Sequence, residues 1–247
     1  MYKTINGNLL FHGCIPLDEN GQLQSVNIAG TDYSGKALLD KLDEIANKAY
    51  FMQPGEEKDY AADYMWYLWS GARSPLYGKD KMAFFERYFL DDKKLHKENY
   101  NAYYHFSEQA EVCGWILEMF GLDPERGHII NGHVPVKIKN GEKPVKAGGK
   151  LFVIDGGISK AYQKATGIAG YTLIYDSHSL NLAEHKPFVV GESEHTPEIH
   201  LVERLERRAN ISDTDKGAEL LEQINDLREL LRAYRSGEIK ESGRRVN

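Results

Sequence analysis

The chain has 247 residues, of which 41% are hydrophobic and 28% charged, and its 31 Lys and Arg against 37 Asp and Glu give a net charge of −6. That length suits one large domain or two small ones, with the composition of a soluble globular protein. The acidic balance argues against nucleic acid as a partner, because backbone-phosphate binding needs a basic stripe, but it allows a small anion held in a local basic pocket.

No run approaches the roughly 20 apolar residues of a membrane-spanning helix, so no membrane association is expected. The first eight residues lack the apolar core of a secretory signal, and a cytoplasmic location is expected. Cys14 and Cys113 lie far apart in apolar surroundings, which suits reduced, buried thiols better than a disulfide.

In chain order, Asn6-Gly7 reads as a turn before a strand Leu9–Phe11 that ends at His12 and Gly13. On these residues alone His12 is either a core histidine bonded to backbone or a ligand carried to the end of a sheet. Cys14, two residues on, is a weaker ligand candidate. Leu23–Ile28 alternates like a half-exposed strand. Ser34 is placed to cap a helix whose Leu38, Leu42, Ile45 and Ala49 recur at helical spacing. A second helix, Glu56–Trp69, carries Tyr60, Tyr64, Tyr67 and Leu68, a stripe read as core.

Ser70–Asp80, with Gly71, Pro75 and Gly78, is a loop bearing Arg73 and Lys79, either a solvated basic loop or a phosphate contact. Met82–Phe89 is expected to be a short helix burying Phe84, Phe85 and Tyr88. Ser107 starts a helix with Val112, Trp115, Ile116, Met119 and Phe120 on its apolar face, stopped by Gly121. It is expected to pack on the strand His128–Asn131 and fix the loop carrying His133, with His128 structural.

Val136–Val145 reads as a hairpin turned at Asn140-Gly141, and Lys150–Ile154 as a core strand before Asp155-Gly156-Gly157. Gly156 and Gly157, leading into Ile158–Gln163, allow close backbone approach to a ligand or another strand. Tyr171–Tyr175 and Leu180–His185 form a further hairpin around Asp176-Ser177-His178, one edge of a mixed sheet. After a polar connection, Gly191–Pro197, residues Asp213–Tyr234 place Leu220, Leu221, Ile224, Leu227, Leu230 and Leu231 at helical spacing. This helix is expected on the body in preference to a partner subunit, and Arg235–Asn247 should fray.

Several segments resemble a known family. They are His12-Gly13, Ser74-Pro75-Leu76-Tyr77-Gly78-Lys79-Asp80-Lys81-Met82, Phe85-Glu86-Arg87-Tyr88-Phe89, Asn131-Gly132-His133, and Asp155-Gly156-Gly157-Ile158-Ser159-Lys160-Ala161-Tyr162-Gln163 running on through Thr166-Gly167-Ile168-Ala169-Gly170-Tyr171. In order and spacing they resemble the carboxy-terminal part of the manganese-dependent class III fructose-1,6-bisphosphatases, which are calcineurin-like metallophosphoesterases. The D-x-H, G-D-x-x-D and G-N-H-[DE] motifs that open that superfamily's metal site are not in place. Asp176-Ser177-His178 spells the first of them but falls after the histidine motifs, where it reads as a turn.

The resemblance implies the carboxy-terminal portion of a longer enzyme. Its fold class would be α/β (α+β): a partial metallophosphoesterase-type β-sandwich flanked by helices over 1–190, with a helical insertion at about 32–121 and an extension over 191–247. It implies hydrolysis of the 1-phosphate of fructose 1,6-bisphosphate in gluconeogenesis by a dinuclear manganese site. His12 and His133 would be metal ligands, Asp155 would orient them from behind, and Arg73, Lys79 or Arg87 would hold the phosphate that is not cleaved. Either a homo-oligomer or association with a missing amino-terminal half is expected. A metallophosphoesterase of other substrate and a non-catalytic module are the alternatives.

Overall fold

Apolar runs too short for a helix and ended at once by glycine or a polar residue become strands at the centre of the main sheet. The structure is a computed structural model and describes residues 1–155, 157, 159, 162, 165–167, 170–187, 191 and 196–240. Within it β1 (Tyr2–Ile5), β2 (Asn8–Phe11), β5 (Ile129–Asn131), β6 (Val145–Lys146) and β7 (Leu151–Val153) form a five-stranded mixed sheet in the order β1-β2-β5-β7-β6. The turn at Asn6-Gly7, with φ of 49° and 78°, has the positive torsions that suit a tight hairpin. It makes β1 antiparallel to β2. β2, β5 and β7 are mutually parallel, with Leu9 beside Ile129 and Ile129 beside Leu151.

Every residue of β5 and β7 is buried, so both faces of the sheet are covered there. The shared core draws on α4 (Tyr103–Phe106), α5 (Ala110–Met119), β8 (Gly170–Tyr175) and β9 (Ser179–His185). β8, β9 and β10 (Glu198–Arg204) form a separate antiparallel sheet. The β8–β9 hairpin is therefore as expected, with Asp176 Oδ1 accepting from the His178 and Ser179 N–H groups at 2.7 and 2.8 Å. It is not an edge of the mixed sheet, because β1 and β6 already occupy both edges.

The segment between β2 and β5 builds a second small core. There β3 (Val26–Ile28) and β4 (Thr31–Tyr33) precede α1 (Gly35–Phe51) and α2 (Glu56–Ser70), and Ile28, Leu38, Leu42, Ile45, Ala61 and Leu68 pack together. The stripe of α2 is core in part: Leu68 is buried and Tyr64 and Tyr67 pack half-buried on the cluster, but Tyr60 is 49% exposed. One helix and a short hairpin cover only a narrow face of α2. On α3 (Phe84–Phe89) the expected burial of Phe84, Phe85 and Tyr88 is overturned, since all are more than half exposed. Six residues with aromatics on every side cannot bury them against one neighbour, and Phe84 packs on Tyr88 instead, ring centroids 5.1 Å apart.

α5 starts later than Ser107 because Tyr103–Phe106 forms its own helical turn, but its apolar face is the expected one, with Val112, Ile116 and Phe120 buried. Asn140-Gly141 does not turn a hairpin. Ile138–Asn140 is a 3-10 turn ended by Gly141 at φ 80°. Val136 gives its N–H to the Asp155 carbonyl at 2.8 Å, while Val145 pairs with Phe152 of β7. The free edge of β7 outcompetes the local pairing. Cys14 and Cys113 are free and buried.

α6 (Asp215–Ser236) does not dock on the body. Only Gly217 is buried, and Leu227 is 64% exposed. Its first turn is tied down, since Asn6 N–H donates to Asp215 Oδ2 at 2.7 Å and Asp215 N–H to Asn6 Oδ1 at 3.1 Å. Beyond that turn no other element among the described residues packs on its apolar face. Most of Ile158–Gln163, of the 191–197 connection and of the expected frayed end lies outside the described residues.

Candidate functional site

Because β2, β5 and β7 run parallel, the residues following them emerge together at the carboxyl end of these strands. These are His12, Gly132-His133 and Asp155. Backbone hydrogen bonds stitch the three exits together: Gly132 N–H to the His12 carbonyl at 3.0 Å and Ile154 N–H to the Asn131 carbonyl at 2.9 Å. His133 then sits at the centre of a three-residue turn, with φ 66° and Val134 N–H returned to the Gly132 carbonyl at 2.8 Å. A non-glycine residue in that conformation is strained, and strain of this kind collects at functional sites.

The turn brings His12 Nε2 to 3.0 Å from His133 Nδ1, with the rings edge to face at 4.9 Å. Such a contact needs one nitrogen to donate and the other to accept, so the two imidazoles cannot both be charged. Burial pushes the His133 pKa down, and the charges of His12 and Lys79 push the same way against the Tyr77 backbone and Asp155. A neutral imidazole at neutral pH is the form that binds a metal.

The fit to manganese is partial. His12 Nε2 and His133 Nδ1 would be the two imidazole donors offered to it, from neighbouring strand exits. Among the described residues, however, no three His, Cys, Asp or Glu side chains are grouped to hold an ion. Asp155 Oδ1 accepts from Gly157 N–H at 2.7 Å. Its carboxylate bonds neither imidazole and reaches His133 through charge. Cys14 is a poor ligand, because burial pushes its thiol far above the ordinary range and thiolate is the ligating form.

The basic loop is pressed against the same end of the strands. Cys14 N–H donates to the Pro75 carbonyl at 2.8 Å, and a Cβ on Gly13 would lie 2.3 Å from that oxygen, so glycine is required there. Ser74, fully buried, donates to the Leu68 carbonyl at 2.6 Å and ties the loop to α2. Lys79 pairs with Glu98 at 2.7 Å, and Arg87 approaches the same carboxylate at 3.7 Å. Arg73, at φ 64°, donates to the Ser25 carbonyl at 3.1 Å, so it is not part of that cluster. Glu98 lies in an aperiodic stretch that carries no sequence signal for it. Asn131 and Tyr103, whose side chains meet behind the histidines, were missed as well, although Asn131 stands inside the Asn-Gly-His motif.

A family model described as Firmicute fructose-1,6-bisphosphatase matches residues 1–236. A class 3 fructose-1,6-bisphosphatase of Clostridium botulinum (strain Alaska E43 / Type E3) is 54% identical over 248 residues, covering 98% of this chain and 38% of that protein. Proteins of the same description from Clostridium tetani and Clostridium acetobutylicum are each 52% identical, over 98% of this chain and 38% and 37% of their own lengths. No solved structure matches. The chain thus spans less than two fifths of the length of these relatives. With the family model matched over nearly all of its residues, the chain belongs to the Firmicute fructose-1,6-bisphosphatase family.

Proposed function

We propose that this chain is the carboxy-terminal portion of a fructose-1,6-bisphosphatase, contributing two imidazoles to its metal centre. The assembled enzyme removes the 1-phosphate of fructose 1,6-bisphosphate, a cytoplasmic step of gluconeogenesis. The observation that carries this reading is the 3.0 Å pairing of His12 and His133 at the ends of adjacent parallel strands. The core shared by the main sheet and the β8–β9 hairpin supports a partial metallophosphoesterase sandwich over 1–190, flanked by helices, with 191–247 as an extension.

When bound, a pair of manganese ions supplies Lewis-acid polarisation of the phosphate and activation of water. The chain's own residues prepare for that. His12 and His133 ligate without adding charge that would repel the phosphate, and Asp155 sustains the basicity of His133 from the neighbouring strand exit. Lys79, Arg87 or Arg73 holds the remote phosphate. The carboxylates that would balance two divalent charges would come from the part of the enzyme outside this chain. A non-catalytic module is the second reading, favoured by the lack of a third ligand beside the histidines among the described residues.

The test is phosphate release from fructose 1,6-bisphosphate with manganese. The chain alone should show no turnover. Joined to the portion of the Clostridium botulinum relative that it does not span, it should turn over, and His133→Ala should abolish the activity. Turnover by the chain alone near the typical median of about 10 per second would show that residues here complete the site. A joined protein that hydrolyses a nucleotide or phosphoprotein but not the bisphosphate would overturn the substrate assignment.

A further inference from the structure

We propose that Asn131 and Tyr103 form a strap that positions His12 against His133, so that the helical insertion between β2 and β5 sets the geometry of the metal-binding pair. The inference deepens the proposed function and rests on it for the role of the histidines, though not for the strap itself.

Asn131 is the last residue of β5 and is 3% exposed. Its Nδ2 donates to the Gly13 carbonyl at 3.3 Å and to the Tyr103 hydroxyl at 3.0 Å. Gly13 follows His12 directly, and the next backbone N–H, that of Gly132, holds the His12 carbonyl at 3.0 Å. Two consecutive carbonyls of the His12 loop are therefore gripped by two consecutive residues of the segment that carries His133. Tyr103, fully buried in α4, also packs its ring edge-on to Phe11 at 5.8 Å. His12 is thus braced on both sides, through Phe11 before it and Gly13 after it.

The residue types fit this role. An amide NH2 in that place offers two donors without bringing a buried charge, one for a carbonyl and one for a phenol. Asp would be acceptor-only when ionised, and Leu, of similar shape, offers nothing. The choice also leaves Asn131 Oδ1 buried with no hydrogen-bond partner among the described residues, which burdens the fold. A residue selected for packing alone would avoid that burden. The strained backbone of His133 persists only if its surroundings over-determine it, and the strap is the constraint at hand.

The experiment uses the full chain with isotope-labelled histidine in solution NMR, comparing wild type with Asn131→Leu and Tyr103→Phe. Wild type should show a cross-relaxation peak between the His12 and His133 rings. In both variants, with circular dichroism and the His96 and His200 signals unchanged, that peak should fall at least fivefold. A peak within twofold of wild type in the variants would overturn the strap. Tyr103→Phe removes one oxygen and gives the answer should Asn131→Leu fail to fold. In a second arm Mn2+ is titrated in. Broadening of the His12 and His133 signals should require about 10- to 100-fold more Mn2+ in the variants, as for other residues that orient metal ligands. Absence of broadening in wild type would remove the metal role from the proposed function, and the ring-to-ring peak would still decide the strap.

Discussion

The Lys79 ammonium lies 2.7 Å from the Glu98 carboxylate, with the two side chains 22% and 15% exposed. Glu98 Oε1 also accepts the Ala83 N–H at 3.0 Å, so one carboxylate anchors the basic loop to the start of α3. Burial alone would raise the Glu98 pKa. The bonds from Lys79 and Ala83 outweigh burial and hold it below the ordinary range. A depressed carboxyl stabilises the fold above the unfolded-state pKa, and that contribution is lost as pH falls through the folded value. Glu98→Ala should cost about 1–3 kcal/mol at pH 7. In urea melts its deficit against wild type should shrink as pH drops towards about 4. A deficit that stays constant down to that pH would remove the ion pair as its cause.

The same pairing bears on substrate. In the joined enzyme Lys79→Ala should raise KM for the bisphosphate roughly tenfold or more, the equivalent of a lost charge-assisted bond of about 1.5–3 kcal/mol. KM for a monophosphate should move less, because only the bisphosphate has a remote phosphate to hold. Arg73→Ala and Arg87→Ala are read the same way. Equal effects on both substrates would take the residue out of the phosphate site.

His128 links the two sheets, with Nδ1 at 2.9 Å from Asn8 Oδ1 and Nε2 at 2.8 Å from Glu203 Oε2. Burial lowers its pKa, and the Glu203 charge opposes this without cancelling it. A histidine depressed in the folded state favours folding above its unfolded pKa of about 6.5, and that stabilisation is lost as pH falls through the lower folded value. The melting temperature should therefore fall between pH 7.5 and about 5.5, and His128→Gln should flatten that slope while lowering stability at pH 7.5. A slope unchanged by the substitution would assign the acid sensitivity elsewhere.

Leu220, Ile224, Leu227 and Leu231 on α6 are each between 40% and 64% exposed, and Trp66, Trp69, Phe85 and Phe89 are exposed as well. Surface of that kind associates, so the chain by itself should sediment with a concentration-dependent mass. Leu227→Glu together with Leu231→Glu should lower that mass at equal concentration. A monodisperse monomer at high concentration would count against this expectation.

Sequence alone determined the elements whose signal is local. The apolar spacing of Leu38, Leu42 and Ile45 marked α1, and Ser34 stands at its N-cap position although its side chain makes no capping bond. The alternation around Asp176-Ser177-His178 marked the β8–β9 hairpin, and the apolar runs ending in His12, His133 and Asp155 marked three strand exits. Family membership was also legible, because it rests on ordered motifs. Tertiary structure decided what depends on competition between distant partners. Val145 pairs with β7 and Val136 bonds Asp155, so no hairpin forms at Asn140-Gly141. Tyr60 of α2 and the aromatic residues of α3 stay exposed because helical spacing records which side chains share a face and cannot record whether a covering element exists. The 3.0 Å contact between His12 and His133 belongs to this second class. It arises from parallel pairing of residues more than a hundred positions apart and from a strained turn held by Asn131 and Tyr103, neither of which leaves a periodic trace in the chain.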